Sequence, residues 1–183
     1  MKRLFSIRTK GFSLVETLVA VALLSMTVIA PLTIASSGLA SAYYAKDRLT
    51  AITLAQDALE FIRSYRDSNR ILYNTPWLDG LDVCKLSAAQ PLWQGCVVDT
   101  AAENPNRVLL RIVGGANSGP IKYDPATGLF GYKSSWQDSK FTRQVILTEL
   151  IMGREARIDV TVSWKTSPLK TKTITISENI TNW

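Results

Sequence analysis

The sequence predicts an α+β fold in which one long N-terminal helix packs on an antiparallel β-sheet. Three patterns predict it. Residues 12–35 form a nearly continuous apolar run. Residues 41–69 carry an apolar stripe at helical spacing. The last third of the chain alternates apolar and polar residues with a period of two, the signature of half-buried strands.

The apolar run reads FSLVETLVAVALLSMTVIAPLTIA and holds one charge, Glu16. At about 1.5 Å per residue its helical length is about 36 Å, enough to cross a hydrocarbon core of about 30 Å. Lys2, Arg3, Arg8 and Lys10 precede it with no acid among them. Basic residues before the span and a long polar remainder after it predict an N-terminus inside and a C-terminal domain outside. Glu16 is costly in such a helix, by a few kcal/mol or about that for an acid at depth. Pro31 removes a backbone donor late in the run, and Ser36, Ser37 and Gly38 add a second expected soft spot.

Beyond the run the helix becomes amphipathic. Ile52, Ala55, Leu59 and Ile62 recur every three or four residues, and Leu54, Ala58, Phe61 and Tyr65 widen the stripe. Glu60 and Arg63 stand three apart, close enough to pair. After Asn69 the periodicity stops. Asn74-Thr75-Pro76 and Asp79-Gly80 are turn signals, and residues 71–95 read as a loop-rich connector. Strands are expected over residues 107–113, 121–123, 129–132, 141–151, 156–164 and 171–180. Asp124-Pro125-Ala126-Thr127-Gly128 suits a hairpin loop. In the penultimate run Ile158, Val160, Val162 and Trp164 face one way and Asp159, Thr161 and Ser163 the other. The last three runs, paired antiparallel and laid on the amphipathic helix, make the expected core.

Composition narrows the chemistry. The 183 residues include no histidine, which removes the commonest general base and metal ligand. Without the four N-terminal cations, the 21 basic residues fall to 17 against 15 acidic ones, so the basic balance belongs largely to the leader. Cys84 and Cys96 are too few for a thiolate zinc site. They close a loop of 13 residues, and in an exported domain a disulfide is the natural reading, against two buried reduced thiols. There is no phosphate-binding loop, no nucleophile elbow and no catalytic constellation, so no enzyme and no cofactor is expected. Asp79, Asp82 and Asp124 are possible calcium ligands that turn chemistry explains more simply.

Lys10-Gly11-Phe12-Ser13-Leu14-Val15-Glu16 resembles the cleavage and methylation signal of type IV prepilins and type II secretion pseudopilins. A basic leader, a Gly at the cut, Phe next and Glu as fifth mature residue all stand in register. The resemblance implies a type IV pilin fold with a leader over 1–11, a helix over 12–70 whose 12–35 half is transmembrane, and a head over 71–183. It implies that a prepilin peptidase and N-methyltransferase cuts between Gly11 and Phe12 and methylates Phe12. It further implies storage in the cytoplasmic membrane, an inner-membrane assembly platform, and packing with other pilin subunits in a helical filament. There Glu16 of one subunit pairs with the Phe12 amine of the next, setting axial register. The AQDALEFIRSYRDSN and VTVSWK segments and the terminal Thr181-Asn182-Trp183 resemble minor pilins of the PilV-like kind. The same N-terminal chemistry also serves secretion pseudopilins and DNA-uptake filaments.

Other readings compete at particular residues. An ordinary secretory signal would use Ala40-Ser41-Ala42 and start the mature chain at Tyr43, but its apolar core is shorter and free of acids. Lys165, Lys170 and Lys172 near Trp164 suit either nucleic-acid phosphates with a stacking aromatic or a solvated strand edge, and the edge is the simpler account. Trp77, Trp93, Trp136 and Trp183 are either core residues or parts of an adhesive face.

Overall fold

A computed structural model describes residues 11, 13–85, 95–101, 111–112, 119–167 and 169–183. Residues 1–10 of the expected leader, Phe12, Trp93, residues 107–110 and Val113 lie outside the described residues. The chain divides into two compact units, Met1–Ala45 and Lys46–Trp183. Helix α1, Leu14–Ile71, is continuous through both. Pro31 and the Ser36-Ser37-Gly38 stretch do not interrupt it.

In the second unit the strands are β1 (Cys96–Val97), β2 (Arg111–Ile112), β3 (Lys122–Tyr123), β4 (Phe130–Gly131), β5 (Gln137–Asp138), β6 (Phe141–Ile151), β7 (Glu155–Ser167) and β8 (Lys170–Thr181). Five of them form an antiparallel sheet in the order β2-β1-β6-β7-β8. A small sheet, β4-β3-β5, carries the hairpin loop at Asp124. The α+β fold of helix on antiparallel sheet is the one the sequence predicts. Strands β1 and β5 are too short to leave a periodic trace and fall outside the expected strand runs.

The core forms where the amphipathic stripe of α1 meets the sheet. Ala51, Leu54, Ala55, Ala58, Leu59 and Ile62 are buried, whereas Ile52 is only half-buried at the rim. The three alanines keep the helix close to the strands, where Val145, Leu147, Ile158, Val160, Val162 and Trp164 face it. Each fully buried large side chain contributes about 1.5–3 kcal/mol. The connector is not loose: Trp77, Leu78 and Leu81 enter the same core. Asn69, buried at the end of α1, donates to the carbonyls of Trp77 and Asp79 and holds the reversal in place.

Cys84 closes a short 3₁₀ turn, Asp82–Cys84, and is joined to Cys96 by a disulfide with Cα atoms 4.6 Å apart. Cys96 lies opposite Val145 of β6, so the bond fastens the connector to the sheet. Gly95 precedes it at φ 91°, and a Cβ there would come within 2.5 Å of the Val145 carbonyl oxygen, so only glycine fits. Replacing both cysteines by Ala is expected to lower unfolding stability by about 3 kcal/mol, read by denaturant titration. An unchanged midpoint would show that the connector docks without the bond.

The least foreseen core residue is Arg143. It shares the inward face of β6 with Phe141, Val145 and Leu147 and is 1% exposed. Its guanidinium donates to the carbonyl of Leu54 in α1 at 2.7 Å and to that of Val98 beyond β1 at 2.5 Å. Burial lowers its pKa, and the nearby Tyr132, Asp57 and Asp99 oppose that shift. Burial likewise pushes the Tyr132 phenol up to about 12, against the pull of Arg143.

Candidate assembly and processing segment

The described residues of the first unit are Gly11, Ser13 and the N-terminal part of α1. Leu14 opens the helix, and Ser13 caps it, its Oγ accepting a hydrogen bond from the Glu16 N–H at 3.2 Å. Ser13 and Glu16 thus stand at the two ends of a Ser-x-x-Glu capping arrangement, which satisfies one of the four orphan donors of a helix start. Glu16 also lies in the first turn, where the helix dipole favours an acid. The sequence reading overlooked this cap, although the four-residue pattern was there to find it.

Glu16 has no salt-bridge partner among the described residues, and its side chain is exposed in the single chain. The rest of the segment is equally uncovered. Leu14, Val15, Leu18, Val19, Val21, Leu23, and the large apolar side chains described from Leu24 to Leu39, all stand exposed. This helix is long and apolar enough to cross a membrane, and its most apolar window is not buried by the protein.

Its few hydroxyls are satisfied internally. Thr17, Ser25, Thr27, Ser36 and Ser37 each donate to a backbone carbonyl three or four residues back, at 2.8–2.9 Å. No hydroxyl proton among these needs water, which is what an apolar environment demands. Gly11 lies just ahead of the cap and is exposed, and a Cβ added there would meet nothing within 4 Å. Packing among the described residues therefore does not account for a glycine at this position.

Residues 7–30 match the prokaryotic N-terminal methylation motif. The motif spans Gly11, the Ser13 cap, Glu16 and the first half of the apolar helix. It supports a type IV pilin-like prepilin, a class of structural rather than enzymatic subunits. With the uncovered helix it is consistent with a membrane-anchored subunit before assembly. No curated protein and no solved structure matches the chain.

The other candidate residues have structural employment. Asp124 accepts from the Ala126 N–H and the Thr127 hydroxyl, which lowers its pKa, as an Asp starting a turn does. Asp82 pairs with Lys85 at 2.7 Å, and among the described residues no cluster of acids and cysteines could hold a metal. Trp164 is 1% exposed, so it cannot stack on a base as the nucleic-acid reading required. Trp77 is buried and Trp136 half-buried; Trp183 is exposed and lies beside the Arg66 guanidinium, 5.4 Å from the ring centre.

Proposed function

We propose that this chain is a structural subunit, of the minor kind, in a type IV pilus or related filament. The observation that carries the reading is an uncovered apolar helix whose capped first turn contains Glu16, five residues after Gly11. Before assembly the helix spans the cytoplasmic membrane with its N-terminus inside. Prepilin peptidase cuts between Gly11 and Phe12 and methylates the new Phe12 amine. Cutting ahead of the helix leaves the anchor in the mature protein. An assembly platform then lifts the subunit into a filament, where the helices of neighbours cover the exposed apolar face. Glu16 pairs there with the Phe12 amine of an adjacent subunit.

Intact-mass analysis of the chain co-produced with a prepilin peptidase tests the processing step. The mature chain is expected to begin at N-methylated Phe12, and Gly11→Leu is expected to retain the leader. A chain beginning at Tyr43 would overturn the reading in favour of a conventional signal peptide. Low stoichiometry in purified filaments is the result expected of a minor subunit.

A further inference from the structure

Near its C-terminal end the inward stripe of α1 changes character. Phe61, Tyr65, Asn69 and Leu72 continue it at helical spacing, but Ser64 and Ser68 stand among them where earlier turns carry alanine and leucine. The chain then reverses, and Tyr73, Thr75 and Asp79 of the connector return over this face. Between helix and connector lies a pocket of about 430 Å³, lined by Phe61, Tyr65, Leu72, Tyr73, Asp79 and small polar residues. Every lining residue belongs to the second unit, and the filament reading gives the pocket no role.

The reversal fixes one wall. Gly80 has φ 77°, and a Cβ there would collide with the Tyr65 hydroxyl, so glycine lets the phenol lie against the turn beside Asp79. Burial raises the pKa of that phenol, and the Asp79 carboxylate and the Tyr73 phenol raise it further. Tyr65, Tyr73 and Asp79 therefore share one space. Phe61, the third aromatic, is half-buried against the core, while Leu72, Tyr73 and Asp79 are exposed at the mouth.

The chemistry of this space is one-sided. Asp79 is the only charged residue that lines it, and no ion pair among the described residues involves Asp79. Three donor groups of the lining are committed within the chain. Ser68 donates to the Ser64 carbonyl at 2.8 Å, Thr75 to the Asn69 carbonyl at 3.4 Å, and the Asn69 amide to the carbonyls of Trp77 and Asp79. What the Ser68 and Thr75 hydroxyls still offer is lone pairs. An anion would face the Asp79 carboxylate at close range. A neutral saccharide asks for donors as well as acceptors, and an apolar ligand would desolvate a carboxylate without pairing it. A cation is served by the carboxylate, the lone pairs and three aromatic rings at once. A bare ammonium also needs acceptors on every side, which Phe61 and Leu72 lack, whereas N-methyl groups do not.

We infer that this pocket binds a methylated ammonium group of the choline type, with Asp79 as its counter-charge and Phe61, Tyr65 and Tyr73 around the methyl groups. The inference concerns the second unit alone and stands whether or not the chain enters a filament.

The test titrates the full chain, in dodecyl maltoside micelles, with choline chloride and reads saturation transfer to the N-methyl protons by NMR. Choline is expected to give transfer, and its uncharged carbon isostere, dimethylbutanol, is expected to bind about tenfold more weakly. Asp79→Asn keeps the turn chemistry of the site and is expected to lose about tenfold in choline affinity. Tyr73→Ala, at an exposed ring outside the core, is expected to weaken choline as well while leaving the unfolding midpoint unchanged. No transfer to choline would overturn the inference, as would equal affinity for choline and dimethylbutanol. Asp79→Asn binding as tightly as the parent would also overturn it. The isostere comparison needs no variant, so it decides even where a substitution disturbs the fold. Glycerophosphocholine run in parallel separates the sources: a response to both compounds assigns the site to a headgroup, a response to choline alone to a free ammonium compound, and either supports the inference.

Discussion

Glu16→Ala is expected to leave the chain in the membrane and to remove it from filaments. Removing an acid from an apolar helix lowers the cost of insertion, so membrane retention is unchanged or improved. On the proposed pairing, the same change strands the adjacent subunit's Phe12 amine among apolar helices. Breaking one side of a buried charge pair costs about 3–5 kcal/mol, which is a hundredfold or more in subunit affinity. The Ser13 cap complicates this expectation, because Glu16 also suits the first turn of α1. Glu16→Gln separates the two roles: glutamine satisfies the capping pattern but carries no charge. Ser13→Ala does the converse, losing about 1 kcal/mol of capping while keeping the acid. Immunoblots of sheared filaments and membranes are expected to show loss of incorporation for both Glu16 variants and near-normal incorporation for Ser13→Ala. Normal incorporation of Glu16→Gln would mean that the acid serves the helix start and not the filament.

Arg143→Ala is expected to be the most damaging single change in the second unit, at about 3 kcal/mol or more. Two charge-assisted hydrogen bonds join α1, β6 and the segment after β1 through this one side chain, each worth about 1.5–3 kcal/mol when the donor is charged. Truncation also leaves a cavity in a close-packed core. Arg143→Met fills most of that space without a buried charge, and replacing buried charges by apolar groups is often nearly neutral. Chemical unfolding of the detergent-solubilised chain is expected to rank the parent above Met and Met above Ala. A Met variant as unstable as Ala would place the whole effect in the hydrogen bonds; an Ala variant as stable as the parent would remove Arg143 as a structural tie.

Much of this was legible because it is local. The stripe on α1 showed which face is buried, and only its rim moved, from Ile52 to Ala51. Alternation along β7 placed Ile158, Val160, Val162 and Trp164 inward, as observed. Alternation along β6 also put Arg143 in phase with Phe141 and Val145, but a guanidinium on an apolar face reads as a solvent residue until its carbonyl partners are known. Those partners lie 89 and 45 residues away, so no local pattern announces them. Asn69 and the buried connector residues were missed for the same reason: turn signals mark where a chain reverses, not what it covers.

The N-terminal segment was determined by sequence alone, because membrane insertion and helix capping depend on hydropathy, charge and spacing within a few turns. Gly11 and Glu16 act through neighbours in the chain and did not need a fold to be recognised, whereas the Ser13 cap became apparent only in the folded helix start. What tertiary structure decided lies in the second unit. Pairing of β1 with β6 brings Cys96 to the connector and its disulfide partner Cys84. Packing of β6 on α1 turns Arg143 into a buried tie. These arrangements join residues distant in sequence, and only the closure of the sheet on the helix sets their distances.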